Sequence, residues 1–134
     1  ACEVDGQLLC LTPTFSVSTL AAKSKFVDKE SLDVIGARLE MHANFPARTN
    51  VEFVRVVGPN ELKMRTWERG NGETLACGTG ACAAVIAASL NGFCHVGDDV
   101  TVIVRGGSLS VKYTGDTVYL TGNTTLCYEG MVEI

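Results

Sequence analysis

The sequence predicts an α+β domain in which a curved, mostly antiparallel sheet or barrel wraps around one central buried helix. Three observations carry this. Ala81 to Leu90 holds a single polar residue, Ser89, so a helix there has almost no solvent face. Several short β-forming stretches are separated by glycine, asparagine or aspartate turns. The 134 residues are 46% hydrophobic and 19% charged, which suits one domain, 1–134, with a large core.

From the start of the chain, Glu3 to Leu11 reads as strand with a turn at Asp5-Gly6, and Pro13 to Ser18 as a weaker second strand in which Phe15 and Val17 alternate with polar neighbours. Asp28 is a good N-cap for a helix over Lys29 to Glu40, with Leu32, Val34, Ile35 and Leu39 on its apolar face. Phe45 to Asn50 is a loop, because Pro46 disfavours helix before it. Val51 to Val57 is a strand turned by Gly58-Pro59-Asn60, and Glu61 to Trp67 returns and delivers Glu68-Arg69 at its end. After the central helix, which stops at Asn91-Gly92, strands are expected over Val100–Arg105, Ser108–Tyr113 and Thr117–Leu120, with one more in the tail from Thr125 to Glu129. No internal repeat or linker interrupts the chain.

A net charge of -4 argues against nucleic acid or an anionic membrane as partner, and no apolar run approaches the length of a membrane span. The chain opens at Ala1 without a basic, cleavable leader, which suggests a partial or processed chain and a cytoplasmic location. The six cysteines Cys2, Cys10, Cys77, Cys82, Cys94 and Cys127 include no C-x-x-C pair and read mostly as reduced, buried residues. Asn123-Thr124-Thr125 matches a glycosylation acceptor but has no secretory context. With only His42 and His95, both in turn-like stretches, no metal site is expected.

The chemistry concentrates in Trp67 to Ala84. A polar, glycine-broken loop carrying Glu68 and Arg69 runs into Cys77-Gly78-Thr79-Gly80 and then into the buried helix, for which Thr79 is the expected N-cap. A thiol at a helix mouth sits among unpaired N–H groups, so the Cys77 pKa is expected below the free value of about 8.5. The same turn can hold a carboxylate, and its glycines let a ligand approach the backbone. A thiolate beside a bound carboxylate can act as nucleophile or as base toward an α proton. Gly78-Thr79-Gly80 is not a dinucleotide loop, since it follows a polar loop and lacks the third glycine, and no phosphate-loop lysine follows it. Cys82, five residues beyond Cys77, points elsewhere and belongs to the core.

Glu68-Arg69-Gly70-x-Gly72-Glu73-Thr74-x-Ala76-Cys77-Gly78-Thr79-Gly80-Ala81 is very similar to the signature of diaminopimelate epimerases. The resemblance extends upstream through Phe45-Pro46-x-Arg48-Thr49-Asn50-Val51-Glu52-Phe53, and downstream through Val118 to Gly122 and a Gly130-x-x-x-Ile134 ending. It covers roughly Gly36 to the C-terminus. It implies a cofactor-independent isomerase of lysine and cell-wall precursor biosynthesis that converts LL- to meso-diaminopimelate, one thiolate taking the α proton while an opposing thiol delivers another. It also implies two similar domains with the site between them, this chain being the second. On that resemblance Cys77 is the acid/base cysteine, and Gly78 and Thr79 bind the α carboxylate. Glu68 holds the α ammonium and influences proton transfer, while Arg69 clamps the distal carboxylate with help from Asn50.

Two features depart from the family pattern. The first domain, with its Cys-Gly-Asn-Gly-type turn, is not in these residues, and Phe15 to Ala22 stands where the family has Gly-Asn-Pro-His. The expected partners are therefore a small amino-acid dicarboxylate and the first domain, with self-association, such as a homodimer, through the face left apolar for that domain. A related amino-acid racemase or isomerase and a non-catalytic carboxylate-binding domain are the alternative readings.

Overall fold

The computed structural model describes residues 2–4, 7–14, 17–23 and 31–133, with side chains described from Ser31 onward. Nine strands form one sheet: β1 (Cys2–Val4), β2 (Gln7–Thr14), β3 (Val17–Lys23), β4 (Asn50–Gly58), β5 (Glu61–Glu68), β6 (Gly72–Thr74), β7 (Asp99–Val104), β8 (Gly107–Tyr113) and β9 (Val118–Thr121). Helices α1 (Asp33–Glu40) and α2 (Gly78–Leu90) complete the α+β fold. The strand order is β1-β2-β3-β4-β5-β7-β8-β9, with β6 also paired to β5. Pairing is antiparallel except for β3 with β4 and β5 with β7.

The two helices lie on opposite faces of β4 and β5. Side chains alternate along a strand, so Val51 and Phe53 of β4 join Trp67 of β5 in a cluster with Leu32 and Leu39 of α1. The other parity, Val54 with Leu62 and Met64, packs with Ala81, Ala84 and Val85 of α2 and with Val100, Val102 and Val111 of the following strands. Helix α2 touches every strand from β2 to β9 except β6, which makes it the axis of the curved sheet. Its small residues permit this: eight of them, Gly80 to Val85 with Ala87 and Ala88, are buried. The helix ends as expected, with Asn91 as C-cap and Gly92 at φ 75°.

Several expectations need correction. Helix α1 begins at Asp33 with Leu32 as N-cap, while Asp28, the expected cap, lies outside the described residues. Val34 is not on the buried face but 72% exposed. Gly36 lies flat on the Trp67 ring, where a Cβ would collide, and this sets the phase of the helix. Leu32 and Leu39 then face inward, and Val34, two positions from Leu32, points away. The single strand expected over Pro13 to Ser18 is divided between the end of β2 and the start of β3, which pair antiparallel there (Pro13 with Ser18, Thr14 with Val17), and the turn expected at Asp5-Gly6 lies outside the described residues. Strand β6 lies where no strand was expected. The tail from Thr125 to Glu129 forms no strand; Leu126, Tyr128, Met131 and Val132 are exposed, so no packing stabilises an extended pairing there. No helix among the described residues is long and apolar enough to cross a membrane.

Candidate active site

On the α2-facing side of β4 and β5 the chemistry changes along the strands. Val54, Leu62 and Met64 are apolar, but toward the mouth of α2 the same parity carries Glu52, opposite Thr66 in the register, and then Asn50 and Glu68 just beyond the Val51–Trp67 pair. A polar layer thus closes one end of the core at the point where α2 begins.

Cys77 itself is the N-cap of α2, in extended conformation (φ -138°, ψ 112°), which corrects the assignment of that role to Thr79. Its Sγ accepts the Gly80 N–H at 3.3 Å and lies 3.4 Å from Thr79 Oγ1. The Ala81 N–H goes to the Cys77 carbonyl. That leaves the Gly78 and Thr79 N–H groups with no partner among the described residues, and Thr79 is exposed. Cys77 is 8% exposed, while its chain neighbours Leu75, Ala76 and Thr79 are exposed.

The Cys77 thiol is not acidified as expected. Burial pushes its pKa above the ordinary thiol value; the Thr79 hydroxyl and Gly80 N–H pull it back, while Glu52 and Glu68 push it further up. Desolvation is the largest of these influences and outweighs the Thr79 hydrogen bond, the next in size. Cys82 and Cys94 are likewise buried with raised pKa values, chiefly through desolvation, whereas Cys127 is exposed.

The Glu68-Arg69 loop is held rigidly. Glu68 Oε1 accepts from Thr74 Oγ1 at 2.6 Å across the β5–β6 pair. Asn50 Oδ1 accepts the Arg69 N–H at 2.8 Å, so Asn50 fixes the backbone of the loop, and the exposed Arg69 guanidinium donates to the Ala47 carbonyl at 2.9 Å. Glu73 is a structural residue of the same segment: Arg65 grips it bidentately at 2.7 and 2.8 Å, and Arg105 adds a 3.1 Å contact from the β7–β8 turn. Sequence reasoning passed over two carboxyl groups. Glu40 holds the loop from behind, and Glu52 lies buried next to Cys77. Strand parity was the available signal for Glu52, since it shares a face with Val54 and Val56.

The family model described as diaminopimelate epimerase matches residues 21–127. The chain belongs to the diaminopimelate epimerase family. The match begins upstream of Gly36, further than the motifs alone reached. Relatives named diaminopimelate epimerase include one from Methanococcus maripaludis, 47% identical over 110 residues covering 81% of this chain and 39% of the relative. One from Desulfovibrio desulfuricans is 44% identical over 96% of this chain and 45% of the relative. Another, from Acetivibrio thermocellus, is 46% identical over 98% and 48%. The chain therefore spans about half the length, or less, of the curated epimerases it matches. Solved structures of phenazine biosynthesis proteins of the PhzF family share the fold: that from Enterococcus faecalis has TM-score 0.57 at 12% identity over 78% of this chain and 36% of its own, and that from Bacillus anthracis 0.54 at 16% over 78% and 33%.

Proposed function

We propose that this chain is the C-terminal half of a cofactor-independent diaminopimelate epimerase, supplying one of two cysteines that invert an α carbon from LL- to meso-diaminopimelate. The observation that carries the reading is the placement of Cys77 at the mouth of buried α2, beside two unpartnered N–H groups and the polar layer of Asn50 and Glu68.

In this reading the substrate's α carboxylate sits on the Gly78 and Thr79 N–H groups, and Glu68 receives the α ammonium. Arg69 reaches the distal carboxylate, its backbone fixed by Asn50. The Cys77 thiolate takes the α proton, forming an S–H bond as the C–H electrons pass to the α carbon, and a thiol on the opposite face returns a proton to that carbon. The ammonium beside Glu68 also offsets a carboxylate charge that opposes ionisation of Cys77. The opposing thiol belongs to a first domain docked over the exposed Leu75 and the apolar tail, a surface that would drive self-association if left uncovered. The buried free thiols Cys77, Cys82 and Cys94 support a reducing, cytoplasmic setting.

The test is solvent deuterium incorporation into LL-diaminopimelate by the full-length gene product. Exchange that disappears in Cys77→Ala supports the reading. Tight binding without exchange points instead to a carboxylate-binding domain, and exchange into a different amino acid to a related racemase.

A further inference from the structure

Glu52 is a carboxyl group in a place that rejects charge. It is 0% exposed on the α2-facing side of β4, and neither of its oxygens has a hydrogen-bond partner among the described residues. The Thr66 hydroxyl, directly across the β4–β5 pair, favours the charged form but makes no bond of good geometry to it and is itself unpartnered. The carboxyl lies against the Cα of Gly80, where a Cβ would collide with it, and the Gly80 N–H is the group bonded to the Cys77 sulfur. An unpaired buried carboxylate is prohibitively costly, so the proton stays on.

We propose that Glu52 is a positioning residue for Cys77: a neutral carboxylic acid wedged behind the first turn of α2, which must keep its proton for the neighbouring thiol to give up its own. This rests on the reading of Cys77 as the proton-transfer group. Among the described residues, the groups facing Glu52 are Thr66 and Glu68 from β5 and Cys77 at the start of α2. The adjoining stretch of β3, Leu20-Ala21-Ala22, is uncharged, and α1 lies on the opposite face. Burial pushes the Glu52 pKa up to about 8, with Glu68 adding to the rise. Below that value the acid is mostly neutral, and once it ionises it opposes the thiolate. Of the two carboxyl groups that oppose thiolate formation, Glu68 is answered by the substrate's ammonium and Glu52 by its own proton.

The experiment is the iodoacetamide alkylation rate of Cys77, mapped by peptide mass spectrometry from pH 6 to 10, on the full-length protein and its Glu52→Gln variant. Glutamine keeps the shape and cannot ionise. The variant is expected to alkylate about threefold to tenfold faster at pH 9. Superimposable profiles overturn the proposal, because a purely packing role leaves thiol ionisation unmoved. If the variant does not fold, the carboxyl carbon-13 resonance of Glu52 in the native protein decides: a neutral acid at pH 7 supports the proposal, and an ionised one at pH 6 overturns it. Since both readouts report protonation rather than turnover, a shifted profile in a protein that epimerises nothing upholds the coupling and removes only the epimerase reading.

Discussion

Trp67 Nε1 donates to Glu40 Oε2 at 2.7 Å, joining the end of β5 to the last residue of α1. The other Glu40 oxygen accepts the Gly70 N–H at 3.1 Å and lies 3.4 Å from Arg48 Nη1. One buried carboxylate thus holds the strand end, the turn and the preceding loop that together present Glu68 and Arg69. The Trp67 bond, ahead of the desolvation that opposes it, keeps the Glu40 pKa below the ordinary glutamate value. Its stabilisation is complete above that ordinary value and is lost as pH falls through the lowered one. Glu40→Ala, which leaves the indole N–H unpaired, is expected to cost about 2 kcal/mol in urea unfolding at pH 7. Glu40→Gln retains an acceptor and costs less. Equal stability of the alanine variant and the native chain would refute this assignment.

Gly80→Ala is expected to destabilise the domain, against intrinsic preference. Alanine in an open helix position is better than glycine by about 1 kcal/mol, but here the new methyl enters the Glu52 carboxyl. Overpacking of this kind costs about 1–3 kcal/mol. Combining it with Glu52→Ala should recover part of that loss, a non-additivity measurable by denaturant unfolding of the four proteins.

Glu52 also gives stability an unusual pH slope. Its folded pKa of about 8 lies above the ordinary value of 4.5. Between these values the folded chain holds a proton that the unfolded chain does not, so this contribution is full below the lower pKa and is lost as pH rises through the upper one. The decline is about 1.4 kcal/mol per pH unit at its steepest. Glu52→Gln should flatten the stability profile from pH 5 to 8, and an unchanged slope would show that another group is responsible.

Among the four cysteines whose side chains are described, thiol labelling at pH 7.5 should favour Cys127. It is exposed, whereas Cys77, Cys82 and Cys94 are buried with raised pKa values. We expect Cys127 to react about tenfold faster than Cys77 with no ligand bound. Preferential labelling of Cys77 would mean that desolvation at α2 is weaker than the geometry indicates.

Much of this was legible in the sequence because it depends on short-range signals. The nearly uninterrupted apolar run from Ala81 to Leu90 located α2 and its burial, and Asn91-Gly92 located its end. The turn residues at Gly58-Pro59-Asn60 located the β4–β5 hairpin. What escaped depended on partners distant in sequence. The phase of α1 is set by the Trp67 ring against Gly36, not by a cap; β6, by contrast, folds back on the adjacent β5 and, at three residues, is too short to show an alternation. The acidity of Cys77 was misjudged because the helix terminus is local and visible, while Glu52 and Glu68 approach the sulfur only through the fold.

The division of β5 between β7 at Glu61–Lys63 and β6 at Thr66–Glu68 leaves only Arg69, Gly70 and Asn71 unpaired at the hairpin tip. With both arms in fixed register, that tip has no slack to absorb an inserted or deleted residue. Diversification of this pocket is thereby channelled into exchanging side chains on a frame of constant length, and a frameshift of even one position in the ladder would turn Glu68 away from the sulfur.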